Sequence, residues 1–198
     1  MADVTFFFDP ACPWTWRASR WLTDVAEARG LEIEWRSLSL LVLKGEPPAD
    51  PVRRARLEAS HRALRLVEWL RQARRQDDIA RLYAEIGTLV HEGGAPFDDV
   101  LLAHAARETG VVGDGANLEA VLGDDALDEA VKASTEAAIA AAGPGVGSPV
   151  LVLAGAERGL HGPVLGAVPA KRESLALWDA VEALAPIGSF FEIKRGRR

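Results

Sequence analysis

Cysteine is almost absent from the sequence, whose 198 residues contain one, Cys12. A single thiol excludes a disulfide within one chain and any metal site built from several thiolates. No two of the four histidines have the spacing that would form a metal site with a carboxylate, so we expect no metal. Long apolar runs are also missing, and none approaches the ~20 residues of a membrane-spanning helix. We therefore expect no membrane partner.

Positive charge is in the minority, since 29 acidic residues outnumber 23 lysines and arginines and give a net charge of −6. This balance argues against a nucleic-acid partner. Residues 53–75 differ, with eight arginines against two glutamates. A solvated helix face explains them, and attraction of an anionic small molecule or partner is the alternative. The N-terminus lacks the features of a secretory signal, so we expect a cytoplasmic protein.

The stretch around Cys12 is the most suggestive of chemistry. An apolar run over residues 4–8 is typical of a buried strand and stops at Asp9-Pro10. Apolar residues then recur from Trp14 with the spacing of one helix face, and Pro13 suits the first helical turn. Cys12 is therefore predicted at a helix N-terminus, where unpaired N–H groups and the helix dipole favour the thiolate. We predict that Cys12 is a nucleophile whose pKa lies below that of an ordinary cysteine.

The rest of the chain reads as an α/β protein. Gly30 is expected to end the first helix, and residues 31–38 alternate as a strand does, which gives a β-α-β unit with parallel strands. The later predicted elements are a helical block at 52–142, a hairpin from strands near 149–153 and 158–165, and a helix at 171–185. We predict a discontinuous α/β domain, 1–42 with 143–198, and a helical insertion domain, 43–142.

This order, with a cysteine at the first strand-to-helix junction, resembles a thioredoxin fold (β-α-β … β-β-α) with a helical domain inserted between its second and third strands, as in the DsbA-like family. Residues 8–16, Phe-Asp-Pro-Ala-Cys-Pro-Trp-Thr-Trp, are similar to the F-D-P-x-C-P-W-C-W start of its cytoplasmic actinobacterial branch of mycothiol-dependent, nitroreductase-like proteins. Further similar segments are 83–94, 146–149, 162–165, 171–179 and 190–194. The resemblance implies a thiol–disulfide oxidoreductase.

The resemblance also implies a set of site residues. Those for substrate binding are Pro13, Trp14, Trp16, Ser148, Pro149 and His91. Pro149 would be a cis-proline facing Cys12. Trp14 fits the apolar stripe of the first helix, whereas Trp16 lies off it and is free to line a cleft. His91 matches a family position, but a histidine that stabilises a helix C-terminus is an equal alternative.

Thr15 marks the main departure, because the family usually has a second cysteine there. A dithiol centre resolves its mixed disulfide internally, and threonine cannot do this. We therefore predict monothiol chemistry, in which Cys12 exchanges with a low-molecular-weight thiol of the mycothiol or glutathione type and the Thr15 hydroxyl donates to the thiolate. The thiol would be a co-substrate for reduction of a small molecule or disulfide, with no tightly bound cofactor.

Two other functions remain open at this stage. Kappa-class glutathione transferases and their isomerase relatives also carry a helical insertion in this fold, and a protein of that type would not depend on Cys12. A degenerate family member kept as a binding module is the non-enzymatic alternative. A homodimer is also left open.

Overall fold

The structure is a computed structural model that describes residues 2–112 and 117–196. Its strands are β1 (Val4–Phe8), β2 (Ile33–Ser37), β3 (Val150–Leu153) and β4 (Leu160–His161), and they form one sheet in the order β2-β1-β3-β4. β1 pairs parallel with β2, as the predicted β-α-β unit requires, and antiparallel with β3. β3 and β4 pair antiparallel, as the predicted hairpin requires. The last strand is shorter than predicted. It ends at His161, and Pro163 beyond it has no N–H to donate to a ladder.

Helix α1 (Pro13–Arg29) connects β1 to β2 and ends at Gly30, whose φ of 69° is the left-handed conformation that glycine adopts readily. Between β2 and β3 the chain is helical: α2 (Leu40–Lys44), α3 (Pro51–Gln72), α4 (Gln76–Gly87), a π-helical turn (Thr88–Glu92), α5 (Asp99–Glu108), α6 (Leu118–Leu122) and α7 (Ala126–Ala142). Helix α8 (Lys171–Leu184) follows β4. The sequence did not predict α2 and α6, because five residues are too few for a recognisable helical period.

The apolar residues of β1 alternate between the two faces of the sheet. Phe6 and Phe8 lie on the face where Trp35 and Tyr83 pack, and the rings of Phe8 and Tyr83 are stacked with centroids 4.2 Å apart. Phe7 lies on the other face in a cluster with α7 and β3. Both faces are therefore covered by helices, as expected for a strand with an unbroken apolar run.

The main core is continuous from α1 and the sheet into helices α3 to α7. Leu64 and Leu70 of α3, for example, are fully buried in the same cluster as Phe6. The division into domains 1–42 with 143–198 and 43–142 remains a prediction. None of the helices within the described ranges combines the length and apolar character needed to cross a bilayer.

A polar cluster joins the end of β2 to α3 and α7. Ser39 Oγ lies 2.9 Å from His61 Nδ1, and His61 Nε2 lies 2.9 Å from Asp128 Oδ1. Arg65 donates to the same carboxylate at 2.6 Å. Ser39 is fully buried and caps α2, so this row of serine, histidine and aspartate holds elements together and offers no accessible nucleophile.

The outer edge of β2 is occupied by a side chain. Gln76, the first residue of α4, accepts from the Trp35 N–H through its Oε1 at 2.8 Å and donates to the Trp35 carbonyl through its Nε2 at 3.5 Å. A glutamine amide thus replaces the backbone partner that a further strand would supply at this position.

Candidate active site

Cys12 lies between the end of β1 and the start of α1. Its N–H donates to the Asp9 carbonyl at 3.0 Å, and its own carbonyl accepts from the Trp16 N–H at 3.0 Å, so it is the N-cap of the helix. Pro13 occupies the first helical position, where a missing N–H costs nothing. The predicted location of the thiol at a helix N-terminus therefore agrees with the structure.

The thiol faces the segment that precedes β3. Cys12 Sγ donates to the Ser148 carbonyl over 3.6 Å, and the peptide bond between Ser148 and Pro149 is cis. The resemblance implied both the cis bond and the position of Pro149 near Cys12. The fold thus brings Cys12 next to a segment that lies 136 positions further along the chain.

The predicted low pKa of Cys12 is wrong. The side chain is buried, with 7% of the residue exposed, and loss of solvation raises the pKa of Cys12 above its ordinary value. The Thr15 hydroxyl and the backbone N–H groups of Thr15 and Trp14 lower it, whereas the charge of Asp9 raises it. A sequence places a thiol at a helix end but does not give its depth, and here burial outweighs the backbone dipoles.

Thr15 is fully buried on the inner side of α1. Its Oγ1 lies 2.7 Å from Ser148 Oγ, and either hydroxyl is able to donate. The residue that replaces the second cysteine therefore links α1 to the segment before Pro149, in addition to its effect on the pKa of Cys12.

A buried carboxyl organises the loop before Cys12. Asp9 Oδ1 accepts from the Ala11 N–H at 2.8 Å and from Ser60 Oγ at 2.5 Å, while Oδ2 accepts from the Leu40 N–H at 2.7 Å. The Asp9 N–H donates to Ser148 Oγ at 3.0 Å. Burial raises the pKa of Asp9 despite these donors. The sequence indicates Asp9 only as the residue at which the first strand stops, although a carboxylate directly after a fully apolar strand is a signal of burial.

His91 and Trp16 contact each other behind the Cys12 loop. The π-helical turn brings His91 Nε2 to 2.8 Å from the Pro10 carbonyl, and the two rings are stacked with centroids 6.0 Å apart. Burial lowers the pKa of His91, so the neutral ring donates from Nε2. Trp16 lies off the apolar stripe of α1 and is nevertheless buried, because α4 covers that side of α1 and Gly87 leaves room for the indole. It therefore packs in the core and does not line an open cleft.

Pro13 and Trp14 form the accessible side of the loop. Pro13 is exposed, and Trp14 is half-buried although it was expected in the core stripe. The Arg17 guanidinium lies over the Trp14 ring at 5.1 Å and donates to the Leu165 carbonyl at 3.4 Å.

A second arginine reaches the same loop from α3. Arg56 Nη2 donates to the Ala11 carbonyl at 3.1 Å, one residue before Cys12. The charges of Arg56 and Arg17 both add to the effect of burial in lowering the pKa of His91. The sequence shows the arginine-rich stretch but does not indicate which arginine contacts the Cys12 loop.

A wide groove lies away from Cys12. Its volume is about 1320 Å³, and it runs along β2 between α1 and α4, past residues such as Arg20, Trp35 and Arg81. Cys12 is not among its lining residues. Over residues 2–112 and 117–196 no group of three or more potential ligands has the arrangement of a metal site.

A sequence profile for the family described as "Rv2466c-like: Mycothiol-dependent nitroreductase Rv2466c" matches residues 11–195 of the chain. The chain belongs to this family. The Mycobacterium tuberculosis protein Rv2286c is 33% identical over 200 residues, which cover 98% of this chain and 82% of Rv2286c. Membership in the Rv2466c-like family confirms the predicted family and, at that level, the predicted class of thiol-dependent oxidoreductase.

Solved structures confirm the thioredoxin fold of the DsbA type. A 2-hydroxychromene-2-carboxylate isomerase matches with a TM-score of 0.61 and 20% identity over 91% of this chain and 95% of its own. SrgA of Salmonella enterica serovar Typhimurium matches with a TM-score of 0.56 and 15% identity over 91% and 90%. A probable DsbA oxidoreductase, SCO1869 of Streptomyces coelicolor, has a TM-score of 0.53 and 18% identity over 98% and 94%. At these identities each of the three matches shows the fold alone.

Proposed function

We propose that this member of the Rv2466c-like family is a monothiol reductase with Cys12 as its nucleophile. The Cys12 thiolate attacks a disulfide, forms a mixed disulfide with one half and releases the other half as a thiolate. A low-molecular-weight thiol then attacks the mixed disulfide, restores Cys12 and leaves as part of a new disulfide. The second step takes the place of the internal resolution that Thr15 does not provide.

The observation that carries the proposal is the contact of Cys12 Sγ with the Ser148 carbonyl, 3.6 Å away and directly before the cis bond to Pro149. A substrate disulfide that reaches this sulfur must lie against the same backbone segment. In the proposal that segment binds the peptide-like part of the thiol, and Pro13 and Trp14 form the accessible wall. Trp16 and His91 position the Cys12 loop from behind.

The raised pKa of Cys12 has a consequence for this chemistry. The resting protein holds the thiol form, which donates to the Ser148 carbonyl, and the thiolate must form before it attacks. The Thr15 hydroxyl and the N–H groups of the first helical turn stabilise that anion. We expect exchange rates to rise with pH beyond the range in which an ordinary cysteine has already ionised.

We assign the co-substrate as a thiol of the mycothiol type, on the basis of family membership, and the location as the cytoplasm, where such thiols keep cysteines reduced. The family description also names nitro reduction. In such a reaction Cys12 and one small thiol together give two electrons to a nitro compound. The products are a nitroso compound, water and the mixed disulfide between Cys12 and the small thiol. A second small thiol then releases Cys12.

Intact-mass analysis tests the proposal directly, because any thiol adduct must lie on the one cysteine. Exposure to an oxidised small thiol should add one thiol moiety to the wild type and none to Cys12→Ala. Addition of the reduced thiol should remove it. Lack of an adduct would contradict the proposal and favour a non-enzymatic binding module.

A second variant distinguishes the proposed monothiol reductase from the isomerase or transferase alternative. Cys12→Ser keeps a hydroxyl at the site but removes the thiol. A kappa-class type of enzyme would retain its activity in this variant, whereas a monothiol reductase loses it.

A further inference from the structure

Two arginines near Cys12 differ from most others in the helical region. Arg62, Arg65, Arg71 and Arg75 each form ion pairs with aspartates or glutamates. Arg56 and Arg17 are half-buried, and each hydrogen-bonds only to a backbone carbonyl, with no ion pair to a carboxylate in residues 2–112 and 117–196.

The charge of Arg56 is the one better placed to act on a ligand of Cys12. Its Nη2 is 3.1 Å from the carbonyl of Ala11, the residue next to Cys12. A guanidinium carries five N–H donors in a planar fork, so one bond to a carbonyl leaves donors for a carboxylate. Arg17 contacts Trp14 at the start of α1 and adds positive charge near this loop.

We infer that the disulfide substrate that Cys12 attacks carries a carboxylate, which Arg56 binds. The inference rests on the proposed thiol exchange and adds the class of substrate. The covalent step is unchanged: the Cys12 thiolate breaks the substrate disulfide, forms a mixed disulfide with the acid-bearing half and releases the other half as a thiolate. The bound carboxylate orients the disulfide before the attack and is not altered by it.

The acidic overall charge of the protein makes this local arrangement informative. A net charge of −6 repels an anionic substrate at long range. Selection of an anion must therefore come from a contact near the sulfur, and its effect should weaken as added salt screens the pair.

The test compares two disulfides that differ only in charge, 3,3′-dithiodipropionic acid and its neutral diamide. Rates of adduct formation at Cys12 are measured by intact mass with each disulfide. The ratio of the rate with the acid to the rate with the diamide is then divided by the same ratio for N-acetylcysteine amide, which serves as the free-thiol reference. We expect the wild type to prefer the acid by about tenfold, as one charge-assisted contact would give. One molar salt should reduce this preference toward one.

The decisive variant is Arg56→Gln, and Arg54→Gln is its matched control. Arg54 is on the same helix, carries the same charge and also donates to one backbone carbonyl, that of Pro48. Arg56→Gln should slow the reaction with the acid about tenfold more than the reaction with the diamide, so that the preference for the acid is lost. Arg54→Gln should keep the preference.

The outcomes distinguish this inference from the proposed function. Equal loss of both rates in Arg56→Gln would mean that the residue only positions the loop and would overturn the inference, as would an unchanged preference. If the diamide forms the adduct and the acid has no advantage in the wild type, thiol exchange stands and the carboxylate site fails. If neither disulfide reacts with Cys12, the proposed function itself fails.

Discussion

Substitution of Gly87 by alanine should destabilise the protein, although the same change in a helix usually stabilises it. Alanine in place of a helical glycine gains roughly 0.5–1 kcal/mol, because it loses less conformational entropy on folding. At Gly87, however, a Cβ would lie 2.1 Å from Cε3 and Cζ3 of Trp16. Ordinary carbon–carbon contacts are about 3.5–4.0 Å, so the indole would have to move by more than 1 Å.

Trp16 has little freedom to make that movement. Its Nε1 donates to Glu92 Oε1 at 3.3 Å, its ring is stacked on His91, and the Arg20 guanidinium lies 4.4 Å from its centroid on the ring face. Overpacking of a core typically costs about 1–3 kcal/mol. We therefore expect a net loss of about 1–2 kcal/mol in the free energy of unfolding.

Differential scanning calorimetry should show this loss as a fall in Tm of about 2–8 °C for a chain of this size. Gly166→Ala is the control, since its Cβ would meet no atom within 4 Å. The displacement of Trp16 should also pull on His91 and the Pro10 carbonyl, and so slow adduct formation at Cys12. A Tm for Gly87→Ala equal to or above that of the wild type would refute the packing argument.

Four further predictions concern the site itself. Thr15→Cys should restore a dithiol centre, so mild oxidation should close a disulfide with Cys12 and lower the intact mass by two hydrogens; an unchanged mass would count against it. Because burial raises the pKa of Cys12, its alkylation rate should rise with pH to a midpoint above the ~8.5 of an ordinary cysteine, and a midpoint at or below that value would contradict the burial. Because the native pKa of Cys12 is raised, its contribution to the free energy of unfolding is fully present below about pH 8.5 and is lost as pH rises through the native pKa. The free energy of unfolding of Cys12→Ser should not show this decrease. Asp9→Asn should lower the free energy of unfolding, measured with urea, by about 1–3 kcal/mol, because both carboxyl oxygens accept hydrogen bonds and the new amide N–H would face one of these donors. Substitution of the exposed Asp24 by asparagine is the control, and equal stability of Asp9→Asn and the wild type would rule out the network.

The sequence predicted the fold well where the signal was local. The apolar run of β1, the period of α1, the glycine that ends it at Gly30 and the strand before Ala154 all depend on neighbours in the chain. The position of Cys12 at a helix N-terminus follows from the same pattern. Pro149 was located through the family resemblance, since no local rule predicts a cis bond there.

The properties of the site that were missed depend on residues far apart in the chain. The depth of Cys12 is set by the segment around Ser148, and the indole of Trp16 is buried because α4 packs against it. The hydrogen bonds of Asp9 come from Leu40 and Ser60 as well as from the loop itself. A helical period shows which side of a helix is apolar, but not which polar side is covered by a second helix.

The two hydrogen bonds between Gln76 and Trp35 limit how this protein is able to associate. A sheet with a bare outer strand adds strands from neighbouring molecules, which leads to continuous sheets and to aggregation. At β2 an incoming strand would first have to displace the glutamine amide and the helix that carries it. A homodimer would therefore have to form through a surface other than this edge, and loss of α4 would expose a strand able to pair with its copy.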